Sequence, residues 1–372
     1  MDIQNHYYGH SAVLAAYAGL RRPRHIAGLL QHGWTASSPV PAHFADFPRV
    51  GTDPRQRRLL VWSHGCRGWS PADEDRETTP VGAPLLYLER QLRSQGWTRS
   101  ERLGPVFVPF HGTRLARVTG AHGELARQVA KVDGPSTVCM HHEDLSDPEI
   151  TSAWADAGHT LVTAGRRNDP RFLLRIMHLV GNASRVSSNR LSTAVLYAAA
   201  VGTPAAVWGD PLTFGAQSST AVEQLRSTWP EFHTYDPDDG SRPVDGAAAA
   251  DRSATSLARR ELGTEYLLDP EALRGVLGWG RTPSVGPGVQ YYSASPLTKA
   301  AMVLGLTKRS DASRKAMTEG GITTNPLLWL RNPLAALPRP LPRGLAVPVA
   351  TEEPPHVDEW RAAEQHSDPS GG

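Results

Sequence analysis

Cysteine is nearly missing from this sequence: Cys66 and Cys139 are the only two in 372 residues. Two thiols cannot build a disulfide framework, and their spacing is not that of a zinc-ligand set, so the disulfide-stapled class is excluded and a reducing compartment fits. Lysine is scarce as well, with Lys131, Lys299, Lys308 and Lys315 the only examples, so arginine supplies almost all the positive charge. Alongside abundant alanine, that bias reads as the imprint of GC-rich coding rather than as an arginine-rich binding surface. Charge of one sign is also lacking: 39 basic against 37 acidic side chains leave +2. There is therefore no electrostatic case for a nucleic-acid partner. The opening MDIQNHYYGHS has no basic segment followed by an apolar one and is not a secretory signal. The most apolar stretch, residues 192–209, is broken by Gly202-Thr203-Pro204, which marks it as core rather than a membrane span. Association with a membrane surface through the tail stays open. GxGxxG, Walker-type, GxSxG and HExxH patterns are all absent, which removes the commonest dinucleotide, nucleotide-hydrolase, serine-hydrolase and zinc-peptidase readings.

What is present has a regular rhythm. The length suits two domains with a tail. SAVLAAYAGL at 11–20 has helical composition, and the apolar runs RHIAGLLQ and RLLVWSHG that follow read as buried strands ending in His-Gly pairs. A Gly/Pro turn introduces a helix over 80–92. Strand candidates then recur at 104–112, 136–144, 159–165, 183–189 and 204–211. Between them lie HGELARQVAKV, DPEITSAWADAG, DPRFLLRIMHLVG and LSTAVLYAAAVG, all helical in composition. Repeated βα units predict a parallel sheet covered on both faces. Residues 215–285 read as a helix around 220–229, a loop from Asp236 to Gly246, and a further helix ending near Leu277. Residues 296–318 suit one or two more helices, and the proline-rich end is expected to be extended or disordered. The domain expectation is 1–95, 96–285, a helical extension 286–325 and a tail 326–372.

In open parallel sheets, ligands bind beyond the carboxyl ends of the strands. Polar residues collect at those ends: Gln31-His32-Gly33, His111-Gly112-Thr113, His141-His142-Glu143-Asp144, Gly165-Arg166-Arg167, Ser187-Ser188-Asn189 and Gly209-Asp210-Pro211. In VSSNRLSTAVLYAAAVG a strand passes through Ser188 or Asn189 into a helix whose first turn carries Ser192 and Thr193. Unpaired N–H groups and the helix dipole favour an anion there, which makes a phosphate seat; ordinary helix capping accounts for the same residues. His32 beside Gly33 is either a structural histidine or one poised to accept a proton near neutral pH. His141 and His142 with Glu143 and Asp144 suggest a metal at first sight, but neighbours on a strand point to opposite faces, so no metal is assigned. A thiol nucleophile in His64-Gly65-Cys66 is likewise set aside.

The pair LLQHGW and SSNRLSTAVLYAAAVGTPAAVWGDP, with VGAPLLYL between them, resembles glycosyltransferases of the GT-B class. More narrowly, it resembles bacterial surface-polysaccharide enzymes of the CDP-glycerol glycerophosphotransferase-like and polysialyltransferase-like kinds. The resemblance covers roughly residues 5–215. It implies an α/β fold with two Rossmann-like domains facing a cleft; if the initial strand is absent, as a helix so near the start suggests, the first is abbreviated. It also implies an inverting transfer of a sugar from a nucleotide-linked donor to a glycan or lipid-linked glycan acceptor, on the cytoplasmic side of the membrane. In that reading His32 is the general base, and Gln31, Gly33, His111, His142, Glu143, Gly165, Arg166, Ser188, Asn189, Ser192, Thr193 and Gly209 bind substrate. Neither metal nor other cofactor is required. The aspartate that usually precedes the paired hydroxyls and the His-Pro pair of the CMP-dependent kind are both absent, which leaves the donor open. A CDP-polyol phosphotransferase and a non-catalytic GT-B-like binding protein are the alternatives. The segment PRPLPR at 338–343 has the composition of a polyproline ligand, and equally of a solvated tail.

Overall fold

A computed structural model of the chain describes residues 3–36, 44, 58–65, 78–112, 118–214, 219–236, 241, 247–280, 300–301, 304–306, 326–336, 347 and 350–367. Cys66, Thr113, the PRPLPR segment and most of 296–318 lie outside those residues. The chain divides into two compact units, Met1–Leu88 with Arg167–Pro170 and Gly263–Val349, and Glu89–Arg166 with Arg171–Leu262 and Ala350–Gly372.

The first unit is built on a small parallel sheet of β1 (Leu29–Leu30), β2 (Leu59–Val61) and β3 (Thr78–Pro80), in that spatial order. Every residue of β1 and β2 is buried, as expected of short apolar strands covered on both faces. Helix α1 (His10–Tyr17) is preceded by a 3-10 segment, Ile3–Gly9. Asn5 ties that segment to the sheet: its amide nitrogen donates to the Gly28 carbonyl at 2.9 Å, and its oxygen accepts from the Leu30 N–H at 2.7 Å. Helix α2 (Pro84–Ser94) carries the chain from this unit into the next.

Residues 263–280 were expected in the second domain and pack instead in the first unit. Leu268 accepts from the Tyr17 hydroxyl and donates to that of Tyr87, while the Trp279 indole donates to the His25 carbonyl. Gly263, at φ +76°, lies so close to the Trp62 carbonyl that a Cβ would overlap it. Only glycine permits this return of the chain.

The second unit holds a five-stranded parallel sheet of β4 (Pro105–Phe107), β6 (Thr137–Met140), β7 (Thr160–Thr163), β8 (Arg185–Ser188) and β9 (Ala205–Val207), ordered β7-β6-β4-β8-β9. The sheet is thus laid outward from β4 through β6 to β7, and the chain then returns to β8 on the other side. That reversal is the topological switch of a doubly wound fold. A short antiparallel pair, β5 (Val118–Thr119) and β10 (Thr213–Phe214), lies beside it and was not foreseen.

Its helices follow the expected βα alternation: α3 (His122–Asp133), α4 (Pro148–Asp156), α5 (Phe172–Asn182), α6 (Thr193–Val201), α7 (Ser219–Thr228) and α8 (Ala247–Glu261). Asp147 caps α4 by accepting from the Glu149 and Ile150 N–H groups, with Pro148 in the first helical position. Trp154 of α4 is fully buried, its ring 5.4 Å from that of Phe107 on β4. Truncating it removes about 3–5 kcal/mol. Helix α6 is apolar around its whole circumference and is buried from Val195 onward.

The C-terminal tail departs from expectation. Residues 350–367 were expected to be extended or disordered, yet they end in helix α9 (Val357–Ser367) packed on this unit. His356 pairs with Val162 at the β7 edge, the Thr163 N–H donates to the Pro355 carbonyl, and Val357 enters the core at 1% exposure. Glu352 meets the Arg175 guanidinium at 2.9 Å. Proline enrichment drew attention from VDEWRAAEQH, whose own composition is helical.

Candidate functional site

In the first unit the carboxyl end of the sheet collects aromatic and imidazole rings. His32, just past β1, has its ring 5.4 Å from Tyr7 and 6.0 Å from Tyr8, and the ring of His10 is 5.8 Å from Tyr8 and 5.9 Å from Trp62, which follows β2. The guanidinium of Arg167 lies 4.7 Å above the Tyr7 ring. His32 Nε2 is 2.6 Å from the Gln4 carbonyl oxygen. Because a carbonyl only accepts, Nε2 carries the proton and Nδ1 bears the lone pair. That is the tautomer in which His32 accepts a proton at Nδ1.

The neighbours flagged with His32 divide. Gln31 is fully buried, its amide nitrogen donating to the Gly33 carbonyl at 2.8 Å and its oxygen accepting from the Trp62 N–H at 2.8 Å. Its side chain braces the ends of β1 and β2. Gly33 lies in the loop beyond. His10 was not singled out, although the density of imidazole and phenol groups in NHYYGH was a visible signal. Burial holds the His10 imidazole well below its ordinary pKa and pushes that of His6 down to about 3, so both are neutral at physiological pH.

In the second unit the switch point falls between β4 and β8. Asn189 spans the end of β8: its oxygen accepts from the Phe110 N–H at 2.7 Å and its nitrogen donates to the Asp210 carbonyl at 2.9 Å. Both ends of that amide serve the fold, and Ser188, fully buried, accepts from the Arg190 N–H at 3.4 Å. Arg190 continues the brace toward Pro211 and Leu212. Gly209, at φ +89°, holds a left-handed backbone conformation that favours glycine, and a Cβ there would also press on a Leu125 methyl at 2.9 Å. These residues shape the turn.

The amino terminus of α6 is different. Ser192 is its N-cap residue, but the hydroxyl makes no capping bond. Its oxygen and that of Ser187 are buried without a hydrogen-bond partner among the described residues. Thr193 opens the first turn, which contains no acidic side chain.

His111, His142, Glu143 and Arg166 lie toward the other side of the sheet. His111 stacks on His141 with ring centroids 3.8 Å apart, and desolvation lowers its pKa. Gly165 donates its N–H to the Thr163 hydroxyl. A cavity of about 700 Å³ beyond β4, β6 and β7 is lined by His142, Glu143, Asp144, His122, Arg166 and Trp360 among others. The hydroxyl-rich turn before α6 is not part of that lining, so the flagged residues of this unit fall into two groups. Arg166 is paired with Glu364 at 2.5 Å. Burial, with Glu143 and Asp147 close by, pushes the Asp144 carboxyl up to about 6. The cavity contribution of Trp360 was hidden because it depends on the unforeseen docking of α9. Among the described residues, no three His, Cys, Asp or Glu side chains are grouped to hold a metal ion. Cys139 is buried and its thiol is pushed up to about 12, which makes it inert.

The architecture is therefore mixed α/β with parallel sheets in both units. No family model and no curated protein matches the sequence. Among solved structures, the chain is similar to one described as Phytolacca americana UGT2 complexed with UDP-2fluoro-glucose and pterostilbene, at 14% identity over 84% of this chain and 68% of that one, with a TM-score of 0.25. No described helix is long and apolar enough to cross a membrane.

Proposed function

We propose that the chain is an inverting glycosyltransferase of the two-domain GT-B kind, with the nucleotide-sugar donor held by the second unit and the hydroxyl acceptor by the first. The observation that supports this most is the amino terminus of α6. It follows the switch-point strand of a doubly wound sheet, its N-cap hydroxyl makes no capping bond, and the Ser187 and Ser192 oxygens are buried and unpartnered among the described residues. Helix N–H groups with adjacent hydroxyl donors suit a diphosphate.

In the reaction, His32 Nδ1 takes the proton of the acceptor hydroxyl as its oxygen attacks the anomeric carbon. The bond from that carbon to the phosphate oxygen breaks, the nucleoside diphosphate leaves, and the configuration inverts. Ser187, Ser192, Thr193 and the α6 N–H groups stabilise the charge arriving on the phosphate, so the reading calls for no metal. Ser188 and Asn189 support the turn rather than contacting the phosphate. The acceptor in this proposal is a surface glycan, built from the cytoplasmic side.

The test is thermal shift with CMP, CDP, UDP, GDP, ADP and dTDP, each with and without EDTA. It is repeated on the double variant Ser192→Ala/Thr193→Ala. One base family is expected to raise Tm irrespective of EDTA and to lose that effect in the variant. Equal stabilisation of wild type and variant would return the hydroxyls to a purely structural role.

A further inference from the structure

The His32 cluster holds more buried hydrogen-bonding groups than the fold consumes. Asn5, 2% exposed, is fully used by Gly28 and Leu30. Its neighbours are not. The Gln4 amide nitrogen, His10 Nδ1 and His6 Nε2 are all buried and lack a hydrogen-bond partner among the described residues, in side chains only 2%, 2% and 3% exposed. His6 is at least anchored through Nδ1, which is hydrogen-bonded to the Ser11 hydroxyl at 2.7 Å. Each buried polar group left unsatisfied costs about 1–3 kcal/mol, so three within a seven-residue stretch need a reason beyond packing.

We propose that Gln4 and His10 are binding residues for an uncharged, hydroxyl-rich ligand, a saccharide or polyol, at the carboxyl end of the first unit's sheet. A hydroxyl both donates and accepts, so it satisfies a carboxamide N–H and an imidazole nitrogen at once. The ring of Tyr8, partly exposed and 5.8 Å from His10, supplies apolar surface of the kind that the C–H face of a sugar ring covers. Charge argues for a neutral ligand. His6 and His10 are uncharged at physiological pH, and the Arg167 guanidinium lies over Tyr7. Tyr8 is the partly exposed member, and its ring lies beside those of both His10 and His32, which brings His10 near the histidine that the proposed transfer uses as base.

This inference rests on reading the first unit as the acceptor side, and the experiment separates the two. The full chain is labelled with ¹⁵N-histidine, and imidazole resonances are followed while glucose, galactose, N-acetylglucosamine, glycerol or inorganic phosphate is added. Saturable movement of the His10 signals by at least one saccharide or polyol is expected. Gln4→Leu and His10→Phe should each weaken that binding tenfold or more while leaving the nucleotide-induced Tm shift intact. His10 signals that no saccharide or polyol moves, that move only with phosphate, or saccharide binding unchanged in both variants would overturn the proposal. If His10→Phe fails to fold, the wild-type titration and Gln4→Leu decide. Saccharide binding without any nucleotide shift would sink the transferase reading and leave this one standing.

Discussion

Asn189 offers the sharpest test of the division between residues that shape the switch point and residues that bind there. Its side chain joins the backbone after β4, through Phe110, to the backbone after β9, through Asp210, and is 3% exposed. Replacing it with alanine strands one donor and one acceptor. At about 1–3 kcal/mol for each abandoned group, moderated by water entering the vacated volume, the loss should be about 2–4 kcal/mol. Asn189→Asp asks a finer question. One carboxylate oxygen still accepts from Phe110, but the other faces the Asp210 carbonyl, which tolerates only a donor. Protonation restores that donor, so the folded state of this variant favours the acid form. Its stability is greatest at low pH and falls as pH rises and the folded protein must ionise the group. Urea unfolding of both variants at pH 5 and 7, with m checked for constancy, measures each quantity. A loss below about 0.5 kcal/mol for Asn189→Ala would refute the brace, as would a pH-independent deficit for Asn189→Asp.

Two further outcomes follow from the second unit. Because Asp144 has a carboxyl raised to about 6 by burial and by Glu143 and Asp147, ionising it opposes folding. The stabilisation from its acid form is complete below the unfolded carboxyl range and is lost as pH rises through about 6. Asp144→Asn should therefore stabilise the protein by about 2 kcal/mol at pH 7, after discounting for partial exposure, and by nothing near pH 3.5; denaturant titrations at the two values check it, and no gain at pH 7 would refute it. Val357→Ala removes two methyl groups from the core and should cost about 1.6 kcal/mol, whereas a change within 0.3 kcal/mol in chemical denaturation would mean that α9 is only loosely docked.

The parallel sheet of the second unit was legible because its strands are short, apolar and separated by segments of helical composition. Asp147-Pro148 announces α4 from sequence alone, and the unbroken apolar character of α6 announces a buried helix. Long-range partnership was not legible. Nothing local to residues 263–280 shows that Gly263 must fit against the Trp62 carbonyl, and nothing local to 350–367 shows that Val357 completes a core whose other members lie between Phe107 and Tyr235. The site was readable in the same uneven way. Since ligands of parallel sheets bind at strand ends, those ends mark His32 and Ser192 as candidates. They also recruited Gln31, Ser188 and Asn189, whose hydrogen-bonding capacity goes to neighbouring backbone, because sequence records what a side chain offers but not who takes it. His10 and Tyr8 lie ahead of the first strand rather than at a strand end, so that reasoning does not reach them.

The pairing of the C-terminal segment with β7 has a consequence for biosynthesis. β7 is the outer strand of its sheet, and the backbone that covers Val162 and Thr163 belongs to Pro355 and His356. During vectorial synthesis the sheet itself can assemble once β9 has emerged, but nearly 150 further residues must be made before its border is sealed. For that interval a nascent chain displays an unprotected strand, the kind of template that recruits other chains. Truncation near residue 349, or a ribosome stalled before Pro355, would leave that border permanently open.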